Sequence, residues 1–248
     1  MPLRALISND DGIQTPGIVA LERAALAAGL ETWVVAPDRE QSATSHALTM
    51  HRPLRVAQVG ERSWSVDGTP TDCVNLALCK ILKDARPDFV LAGINGGPNL
   101  GDDVTYSGTV ACAFEGTLLG IPSIAFSLDY RGDTPAADFT EAETAAHELL
   151  VWAIENPPTT ETLWNVNIPL GRPKGIRPTR MGRRRYGENV VEKVDPRGRP
   201  YFWIGGSSID THSDGTDLTD YRALAVMEEM KERFGARARA VPRVPSAR

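Results

Sequence analysis

Two rhythms of apolar and polar positions alternate along the first 170 residues. Leu3–Ile7 is a short apolar run that breaks off at the polar stretch Ser8–Gly12. Beyond Pro16-Gly17, the positions Ile18, Leu21, Ala25 and Leu26 recur at helical spacing, and Gly29 is a stop signal. Thr32–Ala36 reads as a second strand, closed by Pro37. A strand, a helix and a strand within about 34 residues form a βαβ unit, which requires the two strands to run parallel.

The pattern recurs downstream. Trp64–Val66 reads as a strand, Thr69–Thr71 as a loop, and Asp72–Leu82 as a helix with Val74, Leu78 and Ile81 on one side. Phe89–Ile94 is apolar without alternation, as a strand buried on both faces must be. A long polar loop, Asn95–Ser107, leads into a helix from about Gly108 to Leu119 that Gly120 ends. Ser123–Phe126 and Leu163–Ile168 are further strands, with a helix over Thr140–Glu155 between them. The expected fold is therefore α/β: a Rossmann-like, mostly parallel sheet with helices on both faces. After Pro169 the pattern weakens. Tyr201–Ile204 fits one arm of a hairpin, Tyr221–Phe234 is a final helix, and the tail from Ala236 is rich in Pro and Arg. The expected division is a catalytic domain over 1–170 and a less regular hairpin and helix extension over 171–248.

Composition narrows the class without naming a chemistry. The 248 residues are 42% hydrophobic and 24% charged, which excludes disordered and fibrous proteins. No apolar run approaches the roughly 18 residues of a membrane span, and Leu3–Ile7 is too short for a secretory leader, so the expected compartment is the cytoplasm. Three cysteines without paired spacing fit a reducing environment, and Cys73, Cys79 and Cys112 read as packed small hydrophobes. The net charge of −5 hides a split between −12 over residues 1–170 and +7 over 171–248. Arg172–Lys193 carries eight basic and two acidic residues but, apart from Tyr186, no interleaved aromatics, which argues against nucleic acid as a partner. A solvated hairpin is the default for that run; alternatively it borders a pocket or an oligomer contact and concentrates anionic substrate.

Ligands of open parallel sheets bind beyond the carboxyl ends of the strands, which directs attention to four loops: Ser8–Thr15, Asp38–Met50, Gly68–Thr71 and Asn95–Thr109. Asp10 and Asp11 are adjacent carboxylates at the first strand end, and like charges there repel unless a cation or protons relieve them. Hard oxygen donors favour Mg²⁺, Mn²⁺ or Ca²⁺, although a solvated Asp-Asp-Gly turn accounts for the pair equally well. The loop NGGPNLGDDVTYSGT over Asn95–Thr109 holds four glycines, among them Gly96 and Gly108, and ends where a helix begins. Free backbone amides, the helix dipole and the hydroxyls of Ser107 and Thr109 could bind an anion there; a plain serine N-cap is the rival reading. Ser42, Ser45 and His46 lie in the second loop, where polar surface is the simplest account of them. His51, His147 and His212 have no metal-ligand spacing. No P-loop, no GxGxxG after the first strand, no Asp-x-Asp-x-Thr and no GxSxG elbow occurs, which disfavours a covalent intermediate.

Four ordered motifs then carry a resemblance. SNDDG-x3-PG at Ser8–Gly17, VAPD-x3-S at Val35–Ser42, GTPTDCV at Gly68–Val74 and GIN-x-GPNLG-x4-YSGTV at Gly93–Val110 resemble the SurE survival-protein family. Lys174-Gly175-Ile176 and Asp195-Pro196-Arg197-Gly198 extend the likeness. The resemblance implies a metal-dependent nucleoside 5′-monophosphate phosphatase holding one Mg²⁺ or Mn²⁺ per subunit. By motif it implies Asp10, Asp11, Ser42 and Asn95 as metal ligands. It also implies phosphate near Asn99 and the Ser107-Gly108-Thr109 turn, with Gly96 in the same loop. It permits 3′-monophosphates and short polyphosphate as substrates and implies a homodimer or homotetramer. The chain departs from the family pattern at Gly215-Thr216-Asp217, which runs almost directly into Leu218–Tyr221 without the usual Gly-Tyr-Val-Ser strand. The expected reaction is hydrolysis of the phosphomonoester by metal-activated water, with Asp10 or Asp11 as proton acceptor. A non-catalytic nucleotide or phosphate sensor using the same pocket is the alternative.

Overall fold

The computed structural model describes residues 2–129, 138–186, 190–204 and 209–212, with backbone alone for 183–186 and 209–212. The chain divides into two compact units: one of residues 1–99, 104–176 and 236–248, the other of 100–103 and 177–235.

The first unit is built on seven strands: β1 (Arg4–Ser8), β2 (Glu31–Pro37), β3 (Val56–Gly60), β4 (Ser63–Val66), β5 (Phe89–Gly96), β6 (Ser123–Asp129) and β7 (Leu163–Pro169). Their order in the sheet is β3-β4-β2-β1-β5-β6-β7. Every pairing is parallel except β3 with β4. The expected α/β architecture is the observed one. Helices α1 (Pro16–Ala27) and α4 (Thr140–Glu155) belong with one face, and α2 (Pro70–Leu76) and α3 (Gly108–Leu118) with the other. Alternation along the buried strands divides the core accordingly. Ala5, Ile7, Phe89, Leu91, Ile124 and Phe126 pack with α1 and α4, whereas Leu6, Val90, Ala92 and Ala125 pack with α2 and α3.

The structure differs from the sequence expectation at four points. The second helix starts at Pro70, inside the segment read as a loop. Proline is preorganised for a first helical position, and Thr69 and Asp72 close a reciprocal capping box. After Leu76 the helix widens into a π-turn over Ala77–Ile81. Strand β3 escaped the reading because all five of its residues are exposed on a sheet edge, so no apolar period marks it. Cys79 is exposed, not packed, while Cys73 and Cys112 are buried as expected.

In the second unit, β9 (Val190–Val194) and β10 (Pro200–Ile204) form the expected hairpin, and β8 (Arg183–Tyr186) pairs antiparallel with β11 (Ile209–His212). The hairpin turn is tied by Asp195, whose carboxylate accepts from the backbone amides of Arg197 and Arg199, with Gly198 at φ 77°. The side chains of Arg183–Arg185 and His212, the GTD triplet, the final helix and the Pro- and Arg-rich tail lie outside the described residues.

Close packing of α1 on β5 depends on Gly17, where a Cβ would overlap the Ile94 carbonyl oxygen and press on the Phe139 ring. Helix propensity alone favours alanine there by about 1 kcal/mol. The overlap dominates: Gly17→Ala is expected to destabilise the protein by roughly 2–4 kcal/mol in urea unfolding. A neutral or stabilising result would show that propensity wins.

Candidate active site

The carboxyl ends of β1, β2 and β5 bring the candidate residues together, as the sheet order requires with β1 between β2 and β5. The β1 loop is folded by Asn9, which is fully buried. Its side-chain amide donates to the Gly12 carbonyl at 2.9 Å and to Thr15 Oγ1 at 3.0 Å, and its oxygen accepts from the Gly12 amide at 3.2 Å. Gly12 takes φ 110°, where side chains are strained. This turn presents Asp10 and Asp11 side by side.

Asp10 is almost wholly buried and lies at the N-terminus of α3. Thr109 donates its hydroxyl to the Asp10 carboxylate. The backbone amides of Thr109 and Gly108 also favour the charged form, yet desolvation outweighs these donors and raises the pKa of Asp10. Gly108 has to be glycine, because a Cβ would lie 2.7 Å from Asp10 Cβ and 2.9 Å from Pro70 Cγ. Asp11 is pushed up from 3.8 to about 6, first by burial, then by the Asp10 and Glu40 charges, with the Gly96 amide opposing. Among the described residues neither carboxylate pairs with a basic side chain. Two crowded carboxylates with raised pKa values and no cationic partner are an electrostatic debt that a bound cation would cancel.

The other two expected ligands approach from either side. Gln41 donates its backbone amide to the Asp10 carbonyl at 2.8 Å, which ties the loop of Ser42 to β1. The Ser42 hydroxyl donates to Glu40 Oε1 at 2.7 Å, leaving its oxygen lone pairs available. Asn95 sits where the β5–β6 register shifts, at the end of β5. Its amide nitrogen donates to the Gly97 carbonyl at 2.7 Å, so Oδ1 is the atom with lone pairs to offer. Among the described residues no three of His, Cys, Asp and Glu are grouped to hold a metal, so Ser42 and Asn95 would have to complete any shell. Asp10, Asp11, Ser42 and Asn95 together offer only hard oxygen donors, which fits Mg²⁺ or Mn²⁺.

The residues expected at the phosphate have more specific duties than the sequence showed. Ser107 is the N-cap of α3: its oxygen accepts from the Val110 amide at 3.1 Å. Its own proton has no acceptor recorded among the described residues. Thr109 is committed to Asp10, so the anion nearest this helix terminus is the protein's own carboxylate. Asn99 is buried and donates Nδ2 to Ser127 Oγ at 2.8 Å. Its backbone amide donates to Asn167 Oδ1 at 2.8 Å, and its carbonyl accepts from Asn165 and Asn167 at 2.8 and 3.1 Å. Sequence reading missed Asn9, Asn165 and Asn167. The last two had a signal: two polar residues at i and i+2 on a strand expected to be buried. A shallow groove lined by Pro2, Glu22, Leu30, Thr32 and Arg62 lies at the opposite end of β1 and β2, away from these residues.

Residues 5–188 match the family model for survival protein SurE. The chain belongs to the SurE family. It is 55% identical to the 5′-nucleotidase SurE of Anaeromyxobacter dehalogenans over 222 residues, covering 90% of this chain and 85% of that protein. The 5′-nucleotidase SurE of Myxococcus xanthus is 53% identical over 214 residues, with 86% and 80% coverage. The crystal structure of the SurE protein from Aquifex aeolicus superposes with a TM-score of 0.76 at 43% identity, covering 90% of this chain and 89% of that one. The resemblance carried by the four motifs is therefore membership. No described helix is long and apolar enough to cross a membrane.

Asp11 binds its proton more tightly in the folded chain than in the unfolded one, so its contribution to stability is present at low pH and is lost as pH rises through about 6. Asp11→Asn is therefore expected to stabilise the metal-free protein by roughly 1–2 kcal/mol above pH 7, allowing for partial exposure, with the gain fading below pH 4. Urea unfolding in chelator across that range checks it. A loss of stability at pH 8 would contradict the electrostatic reading.

Proposed function

We propose that this SurE-family chain is a divalent-metal-dependent 5′-nucleotidase that hydrolyses nucleoside 5′-monophosphates to nucleoside and phosphate. The 5′-nucleotidase relatives support the substrate class. The observation that carries the metal dependence is the Asp10–Asp11 pair, crowded and without a basic partner among the described residues.

Asp10, Asp11, Ser42 and Asn95 would hold the cation. When bound, Mg²⁺ or Mn²⁺ supplies a water of lowered pKa and neutralises charge on the phosphoryl oxygens. Asp10 is fixed by Thr109 and the start of α3, so it orients but moves little. Asp11 is the more exposed carboxylate, which leaves it the better placed of the two to accept the proton of the attacking water. The Ser107 hydroxyl, which donates to no described residue, and the second Nδ2 hydrogen of Asn99 are donors for phosphoryl oxygens as negative charge shifts to the leaving group. These contacts are to phosphate and not to base or sugar, which is compatible with 3′-monophosphates and short polyphosphate as further substrates.

A homo-oligomer is part of the same reading. Strand β10 exposes Phe202, Trp203 and Ile204 at 58%, 63% and 92%; Trp203 and Ile204 lie opposite exposed Val191 and Val190 on β9, which also exposes Val194. Apolar side chains on both faces of a hairpin are costly in water and suit a contact with a second copy.

Two measurements test these readings. Phosphate release from nucleoside 5′-monophosphates with Mn²⁺ or Mg²⁺ is expected to vanish in chelator, and to fall about 10³-fold or more in Asp11→Asn with the fold intact. Near-normal turnover of that variant would remove Asp11 from the chemistry. In light scattering, Trp203→Asp is expected to lower the mass toward that of a monomer; an unchanged mass would move the contact elsewhere.

A further inference from the structure

Glu115 is a buried charge that the chemistry above does not use. It lies on α3 and is 5% exposed. One carboxylate oxygen accepts from Asn75 Nδ2 of α2 at 2.8 Å, and the other is 2.7 Å from His46 Nε2. A carboxylate withdrawn from water is costly unless its partners are well placed, so the arrangement needs a return. Its partner His46 shows where that return lies: the histidine belongs to the loop that follows β2 and carries Ser42.

That loop is strained and heavily tied. Ala43 and Ser45 adopt φ of 57° and 55°, a conformation that disfavours residues with a Cβ and persists only where the surroundings impose it. The N-terminal end is anchored by the Gln41 amide on the Asp10 carbonyl. Beyond Ser42, the Ser45 hydroxyl donates to the Thr105 carbonyl at 2.7 Å, and its amide to the Tyr106 carbonyl at 3.2 Å. Thr69 donates to the Ala47 carbonyl at 2.7 Å, and the Thr49 amide donates to Asp72 Oδ1 at 2.9 Å. Among these ties the His46–Glu115 pair joins the loop, by side chains alone, to the helix whose first turn holds Asp10. The His46 ring is further fixed edge-on against Phe114, with centroids 4.9 Å apart.

We propose that His46 and Glu115 are positioning residues: they clamp the Ser42 loop onto α3, with Asn75 holding the Glu115 carboxylate, and so keep the Ser42 hydroxyl in register with Asp10, Asp11 and Asn95. This rests on the metal reading above and extends it to side chains outside the donor set. The clamp acts through Ser42, so its loss shows as weaker metal binding before any chemistry occurs.

Mn²⁺ titration calorimetry on the metal-free protein tests it, with urea unfolding reporting that each variant is folded. His46→Ala is expected to raise the Mn²⁺ Kd about tenfold, in the range for outer residues that orient ligands. His46→Gln, whose amide can still donate to Glu115, is expected to recover most of that loss. His46→Asn, too short to reach, is a second loss variant should the alanine protein not fold. Ser42→Ala is expected to weaken binding by a similar factor, and adding His46→Ala to it should cost nothing more. An unchanged Kd in His46→Ala, no recovery in His46→Gln, or additive losses in the double variant would overturn the clamp while leaving the metal reading standing. A wild-type protein that binds no Mn²⁺ would overturn the metal reading and the clamp with it.

Discussion

The carboxylate of Asp10 at the N-terminus of α3 is the contact on which the site depends. It joins the end of β1 to the first turn of a helix that follows β5, through the Thr109 hydroxyl and across a glycine with no Cβ to intervene. Its backbone carbonyl meanwhile receives the Gln41 amide and so draws in the loop after β2. One residue thus fixes the relative positions of three strand-end loops. The interaction is a charge at the positive end of a helix, and burial makes it both strong and costly.

The cost falls next door. Asp11 has no comparable set of donors, and its neighbours Asp10 and Glu40 share its sign. Folding energy from the apolar core holds the two carboxylates together against their repulsion, and binding a cation would return part of it. Under the proposed function, stability and activity pull in opposite directions at Asp11, a common property of sites built to bind charge. The remaining polar groups are unusually well occupied. Asn9 closes its own loop, and Asn165 and Asn167 of β7 hold the backbone of Asn99 from the sheet while Ser127 holds its side chain. Side chains that hold backbone in place keep the loop from rearranging when substrate arrives, which is how a loop-built site attains the precision of a strand-built one.

Much of this was legible from residue order. Apolar periodicity located β1, β2, β5, β6 and β7 and the helices between them because each buries one or both faces. Ligand sites of parallel sheets collect at the strand ends, which drew attention to the loops of Asp10, Asp11, Ser42 and Asn95, but only the family likeness implied those four as ligands. What escaped shares a physical cause. Strand β3 is exposed on every residue and leaves no period. The duties of Thr109, Ser107 and Asn99 are matters of which hydrogen bond each group makes, and hydroxyl and amide groups can serve a ligand or a neighbour equally well until the neighbour is known.

The sequence by itself determined the fold class through its periodicity and the family through its four ordered motifs, and the oxygen donors entered as what the family likeness implies. Tertiary structure alone decided that Thr109 serves Asp10, that Asn165 and Asn167 support Asn99, and that His46 meets a buried Glu115 sixty-nine residues away. Those pairings span two or three elements, and no local pattern encodes a contact between groups that only sheet order and helix packing bring within hydrogen-bond reach.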